Sequence, residues 1–259
     1  MRLALGVEYI GLNYNGWQKQ VDVNSVEAEL IKAINLVANH TVKIYCAGRT
    51  DKGVHALGQV IHFDSNANRS INDWKRGINH FLPDDIAVLW VAEVSQDFHA
   101  RFGALARTYN YHIDNSKISS VFRKNLCWHI PYDISIDAMQ EAANIFIGTH
   151  DFSAFRARKC QAKSPIKTVA NFDIIKHEHI IVLNICANSF LYNMVRNLVA
   201  AIVAVASGSK DMLWLRKVFE SKSRDYNLDK APAGGLYFMC ADYHEDCKIP
   251  KQIVEYLLL

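Results

Sequence analysis

No C-x-x-C pair and no other zinc-module spacing occurs among the six cysteines, Cys46, Cys127, Cys160, Cys186, Cys240 and Cys247. Cysteines so scattered read as buried thiols of a reducing compartment, not as a disulfide framework or a metal cage. His177 and His179 flank Glu178, but no H-E-x-x-H follows, so no metal is expected. The chain also lacks a G-x-x-x-x-G-K-[ST] loop and a G-x-G-x-x-G turn, which removes the usual cradles for a nucleotide cofactor; no cofactor of any kind is expected. Long apolar runs are missing too. The longest, Leu198 to Ala206, is nine residues, too short to span a bilayer. The N-terminal MRLALGVEYIGL is interrupted by Glu8, and no cleavage-site pattern follows, so no signal peptide is predicted. From these absences a cytoplasmic chain, or at least one not secreted by this route, with no membrane partner is expected.

What is present is the composition of a globular protein, half hydrophobic and 21% charged over 259 residues. This length buries enough surface to fold without disulfides or metal. The net charge of +3 says little, but its distribution says more. Residues 1–105 carry 10 basic and 11 acidic side chains, and residues 106–259 carry 19 and 15. Between Phe152 and Phe172 there is no acid, while Arg156, Arg158, Lys159, Lys163 and Lys167 all fall there. Such a segment is either a solvated basic loop or the electrostatic footprint of a polyanion.

Along the chain, LALGVEY reads as a strand, followed by a turn-rich segment from Gly11 to Gly16. The segment NSVEAELIKAINLVAN reads as a helix with Asn24 as its cap and Glu27 completing a capping box. KIYCAG and LGQVIHF are predicted strands around the polar loop RTDKGVHA; INDWKRGINHF is a helix stopped by Pro83, and IAVLWVAEV a buried strand. In the second half RTYNYHI and NLCWHI are predicted strands. SIDAMQEAANIFIG is a helix stopped at Gly148, and KTVANFDIIKHEHIIVLNICA is a hairpin turning near His177 to His179. NSFLYNMVRNLVAAIVAVASG is a long helix capped by Asn188 or Ser189 and ended at Gly208, and GLYFMCADY is a last strand. The pattern predicts an α+β fold: two similar halves, 1–105 and 106–259, with mainly antiparallel sheets flanking a central active-site cleft.

The chemistry is expected in Cys46-Ala-Gly-Arg-Thr-Asp-Lys-Gly-Val-His-Ala56, where a tight loop concentrates a carboxylate, a guanidinium, a hydroxyl and two glycines. Arg49 beside Asp51 favours the ionised carboxylate, which can serve as base or covalent nucleophile. The competing reading is a polar hairpin loop whose Asp caps its own backbone. Arg196 lies near an apolar stretch of helix and calls for an anionic partner, either Asp51 or a substrate phosphate. Tyr109 taken alone is a core position of an alternating strand.

GRTDKGVHALGQVIHFD resembles the signature of the TruA family of tRNA pseudouridine synthases, commonly GRTDAGVHA, with Lys52 in place of the usual Ala. FHARFGALARTYNYHI, GTHDFSAFRA, SFLYNMVRN and APAGGLYF are similar to further family blocks in the same order. The resemblance implies Asp51 as catalytic nucleophile, Tyr109 as the active-site tyrosine and Arg196 as the active-site arginine. It also implies Leu236 as an apolar wall. In such a site Arg49, from its place beside Asp51, and Arg196 would orient Asp51 and the phosphates. The resemblance further implies isomerisation of uridines at positions 38, 39 and 40 of the tRNA anticodon stem-loop by a homodimer. For such a substrate the charge pattern, not the resemblance, makes Arg156, Arg158, Lys159 and Lys163 the expected holders of the RNA backbone. Two other classes stand beside it: a non-catalytic RNA-binding module, and an RNA N-glycosidase that uses Asp51 for hydrolysis.

Overall fold

A computed structural model describes residues 1–158, 160, 162–223 and 229–250. Contacts group the chain into two compact units. One contains Met1–Arg107 and the returning strand that begins at Tyr237; the other contains Thr108–Leu236. A single sequential cut near residue 105 therefore differs in one respect. The last strand leaves the second half because it pairs in parallel with a strand of the first, Tyr237 with His55 and Phe238 with Ala56.

In the first unit β1 (Arg2–Tyr9) pairs antiparallel with both β3 (His55–Asp64) and β4 (Ile86–Val94). The short β2 (Tyr45–Cys46) adds to β3, and β10 (Leu236–Asp242) runs beside β3. Helices α1 (Val26–Ala38) and α2 (Ile71–Phe81) pack on each other. Helix α1 buries Val26, Leu30, Ala33, Ile34 and Val37, the expected 3.6-residue stripe. Its cap is Ser25, whose hydroxyl accepts from Ala28 N, not Asn24. Asn24 is diverted because its carbonyl receives Asn15 N at 2.9 Å, and Glu27 receives Lys19 N at 2.7 Å instead of closing a capping box. The 11–24 segment thus folds back onto the start of the helix.

In the second unit β8 (Ile166–His177) and β9 (Ile180–Ala187) form the expected hairpin, turning at Glu178, whose φ of 53° is left-handed. β7 (Gly148–Asp151) pairs with β8, β5 (Ala106–Asp114) lies beside β9, and β6 is reduced to Trp128–His129 alongside β5. Helix α3 (Ile136–Asn144) packs on α4 (Met194–Ala206) and on β8. Gly148 does not stop α3, which ends at Asn144; its φ of 107° opens β7 instead. A further helix, α5 (Met212–Ser221), is capped by Asp211, whose carboxylate accepts Trp214 N at 2.7 Å.

Helix α4 starts later than its apolar pattern suggests. Asn188 is bonded to β8, its N–H donating to Thr168 O and its side chain accepting Thr168 N. Asn193, with φ 62°, is in the left-handed region that a right-handed helix cannot pass through. Residues 188–193 are therefore an irregular lead-in, and the first helical turn falls on Met194–Arg196. The fold is α+β, mainly antiparallel, with parallel pairing at β3/β10 and β5/β6. Among the described residues no helix is long and apolar enough to cross a membrane.

Candidate active site

The Asp51 loop leaves β2 at Cys46 and enters β3 at His55. It is closed by a turn in which Val54 N donates to Asp51 O at 3.1 Å, with Gly53 at φ 77°. Any side chain at that φ would be strained. The segment before the loop presses against it: Trp17 N donates to Thr50 O at 3.0 Å, and Gly16 has φ 92°. A Cβ at Gly16 would lie 2.8 Å from Thr50 O and 3.1 Å from the carbonyl carbon of Asp51. At Gly11 a Cβ would fall 2.0 Å from Val54 O. This segment thus touches the loop at two points, at distances only glycine permits.

Side chains complete the clamp. Buried Tyr9 shares a 2.7 Å hydrogen bond with the Thr50 hydroxyl, and burial raises its phenol pKa, keeping it protonated. Gln59, wholly buried on β3, donates to Gly48 O at 2.6 Å and accepts Gly48 N at 3.3 Å, as a strand neighbour would. His55 accepts Gly11 N on Nδ1 at 3.1 Å, so the imidazole is the neutral Nε2–H tautomer, and it stacks on Tyr237 at 4.7 Å. Arg107 is 9% exposed; its guanidinium donates to Ala47 O at 3.2 Å, to Ala104 O at 2.9 Å and to Arg101 O. Carbonyl acceptors let this cation be buried and join the root of the loop to residues 101–104. Within this frame Asp51 is half-buried, while Arg49 and Lys52 are exposed. The neighbouring Cys46 thiol is pushed up to about 12, chiefly by burial, and is inert as a nucleophile.

In the second unit Tyr109 lies on β5, 8% exposed, edge-on to Phe190 at 5.0 Å. Arg196, in the first turn of α4, is also 8% exposed. Its Nε donates to Ala231 O at 2.7 Å, and Ala231 N donates back to Arg196 O at 3.2 Å. This pairing fixes the plane of the guanidinium. Tyr111 donates its hydroxyl to Pro232 O at 2.8 Å; burial raises its phenol, with the charge of Arg196 opposing the rise. Leu236, buried, follows a 3-10 turn at Ala233–Gly235. A Cβ at Gly235 would strike the Tyr111 ring at 2.6 Å, and one at Gly234 would lie 2.1 Å from Asn125 O. The APAGG run is thus held in place by close packing that tolerates no side chain at either glycine.

The acid-free segment is anchored at both ends. Phe152 and Phe155 are fully buried among Phe146, Phe172 and Phe219, and Phe152 N donates to Pro165 O. Ala157 N donates to Tyr192 O at 2.8 Å, and Asn197 donates to Phe155 O at 2.7 Å, so the loop is tied to the start of α4. Arg158 and Lys163 are exposed, Arg156 is half-buried, and Lys159 lies outside the described residues. Burial lowers the Lys167 ammonium pKa.

The sequence did not single out Tyr9, Gly11, Gly16, Gln59, His55 or Arg107 as supports of the loop. Three of them stood inside quoted motifs: Arg107 two residues before Tyr109 in the R-x-Y segment, and His55 and Gln59 within GRTDKGVHALGQVIHFD. Tyr9, Gly11 and Gly16 come from an earlier stretch of chain and touch the loop only after folding. Among the described residues no group of three or more His, Cys, Asp or Glu side chains is placed to hold a metal.

The chain matches the family model described as tRNA pseudouridine synthase over residues 6–103 and 142–244. It is 44% identical over 252 residues to "tRNA pseudouridine synthase A" of Shewanella amazonensis, covering 97% of this chain and 96% of that protein. It is 43% identical over 251 residues to the protein of the same name from Glaesserella parasuis, again 97% and 96%. The Vibrio atlanticus counterpart is 42% identical over 259 residues, 100% of this chain and 98% of that one.

Proposed function

The chain belongs to the tRNA pseudouridine synthase family, isomerases acting on tRNA uridines, and from that premise we propose that it converts uridines 38, 39 and 40 of the anticodon stem-loop to pseudouridine with Asp51 as nucleophile. The observation that carries the reading is the rigid presentation of Asp51: a half-buried carboxylate on a loop braced by Gly11, Gly16, Tyr9 and Gln59. A carboxylate used for covalent chemistry needs fixed geometry more than it needs exposure.

Isomerisation breaks the N1–C1′ bond, turns the base and joins C5 to C1′, with no net redox change. A uridine in a stacked arm must first be flipped out. Asp51 attacks C6 of the base or C1′ of the sugar. Tyr109 offers its ring to the flipped base, a stacking contact worth roughly 1–3 kcal/mol, and takes part in removal of the C5 proton. Arg49, exposed at the loop, and Arg196, whose guanidinium plane is fixed by Ala231, engage substrate phosphates. Leu236 keeps water from the glycosidic carbon, since hydrolysis would leave an abasic site. The same family reading makes the protein a cytoplasmic homodimer.

The deciding assay incubates the full chain with unmodified tRNA and maps pseudouridine by nucleoside chromatography and chemical tagging, because the conversion does not change mass. New pseudouridine at 38–40 is the expected result. Free uracil would identify an N-glycosidase, and unchanged nucleosides with retained binding would identify an RNA-binding module.

The acid-free loop supplies affinity in this reading. Replacing Arg156, Arg158 and Lys163 together by Ala is expected to reduce the slope of log affinity against log salt by about 2–3, at roughly 0.7–0.9 per lost phosphate contact. Single-turnover rates at saturating tRNA should change far less. An unchanged slope in titrations at several salt concentrations would mean that the loop is merely solvated.

A further inference from the structure

The first unit carries an aromatic cluster that the Asp51 chemistry does not use. Tyr45 on β2 is the cross-strand partner of His62 on β3, and their rings stack at 5.0 Å and 16°. His99 touches three rings, Tyr45 at 5.1 Å, His62 at 4.7 Å and Phe102 at 4.4 Å. The geometry is fixed by the backbone. Ala100 N donates to His62 Nδ1, Arg101 N and Phe102 N donate to His99 Nδ1, and Gly103 N donates to His99 O at 2.8 Å. Both imidazoles accept on Nδ1 and are therefore neutral. Burial together with nearby cations agrees, pushing His62 down to about 4 and lowering His99.

One end of this cluster faces solvent. Phe102 is 77% exposed and Tyr45 38%, and each ring has a cation over it: Arg101 Cζ at 5.5 Å from the Phe102 centroid, and Lys43 Nζ at 5.0 Å from that of Tyr45. Asp64 and Asp97, the acids that bear on the cluster, act on Arg2; Asp64 is bonded to it at 2.8 Å. A phenyl ring this exposed stabilises little of its own fold. Exposed rings flanked by unneutralised cations are complementary to a base face with phosphates on either side. The position suits RNA as well, for β2 runs straight into the Asp51 loop.

We propose that Phe102 and Tyr45, with Arg101 and Lys43, form a second RNA-docking platform, on which an unpaired nucleobase outside the reaction packs against Phe102 while the two cations contact its flanking phosphates. The inference rests on the tRNA-modifying reading above and adds a docking residue to it.

Phe102→Ala should weaken binding of full-length tRNA about tenfold or more, the scale of one lost base–aromatic stack, while Phe102→Trp keeps it. Combined Lys43→Ala and Arg101→Ala should flatten the salt slope by about 1.4–1.8, two phosphate contacts' worth. Single-turnover isomerisation at saturating tRNA and the melting temperature should both stay near wild type in Phe102→Ala. Binding within twofold in Phe102→Ala with an unchanged slope in the double variant overturns the platform. So does a change of sedimentation coefficient in Phe102→Ala, which would show a second copy of the chain covering the ring. If wild type forms no pseudouridine but these variants still lose tRNA affinity, the platform stands and the enzymatic reading fails.

Discussion

Asp51→Asn is expected to lower the rate of pseudouridine formation by at least ~10³-fold, more than ~4 kcal/mol of barrier, while tRNA binding stays within a few-fold of wild type. Asn is nearly isosteric but has no anionic oxygen to form the covalent bond. Backbone groups and the Thr50 hydroxyl brace the loop. The turn uses Asp51 O and Val54 N, the brace from Trp17 uses Thr50 O, and Tyr9 holds the Thr50 hydroxyl. The loss should appear in single-turnover kinetics at saturating tRNA, measured on protein whose thermal melt shows it folded. Activity within tenfold of wild type would remove Asp51 from the nucleophile role, leaving it an ordinary loop carboxylate.

The second large effect is expected at Arg196→Leu, with turnover reduced by about 10²-fold or more, the loss typical of removing one charge-stabilising donor from an active site. Arg196 is a buried cation in the first turn of a largely apolar helix, where Leu keeps the helix propensity and the apolar composition of the segment. Helix α4 itself should survive the change. The exposed cost is at Ala231, whose carbonyl loses its Nε donor, so the 231–235 run carrying Leu236 is where any loosening would show. Arg196→Lys separates the two consequences. It keeps the charge but lacks the planar fork, so it should retain part of the tRNA affinity and little of the rate. Normal turnover in Arg196→Leu, measured on protein whose thermal melt shows it folded, would overturn the role.

Most elements were legible because their cause is local. The alternation of LALGVEY and of RTYNYHI, the β-rich pair that becomes β8 and β9, and the 3.6-residue stripe of α1 each survive in the structure, since burial of one face decides them. The start of α4 was not legible. Apolar periodicity runs back through Leu191, but Asn188 is taken by Thr168 and Asn193 turns left-handed, and both facts depend on partners distant in sequence. The cap of α1 failed for the same reason. Asn24 and Ser25 are both good caps by chemistry, and the choice fell to Ser25 once Asn15 claimed the Asn24 carbonyl. α5 was missed, because Asp211 ahead of Leu215 and Val218 in a ten-residue helix with one short stripe gives a weak signal.

At the site the division is sharper. The candidates Asp51, Arg49, Tyr109, Arg196 and Leu236 came from motifs contiguous in the chain, which residue type and order alone display. Their support came only from folding. Gly11 and Gly16 are unremarkable glycines in a turn-rich stretch until a Cβ there is set against Val54 O or Thr50 O. Gln59 reads as one polar residue in an apolar strand until its amide is paired with Gly48. Sequence alone therefore named the candidate side chains and most of the strands and helices, because both depend on residue type and short-range periodicity. The tertiary structure decided what holds Asp51 still, where α4 begins and which rings are left exposed beside Arg101, because each depends on backbone groups dozens of residues apart meeting within hydrogen-bond or van der Waals distance.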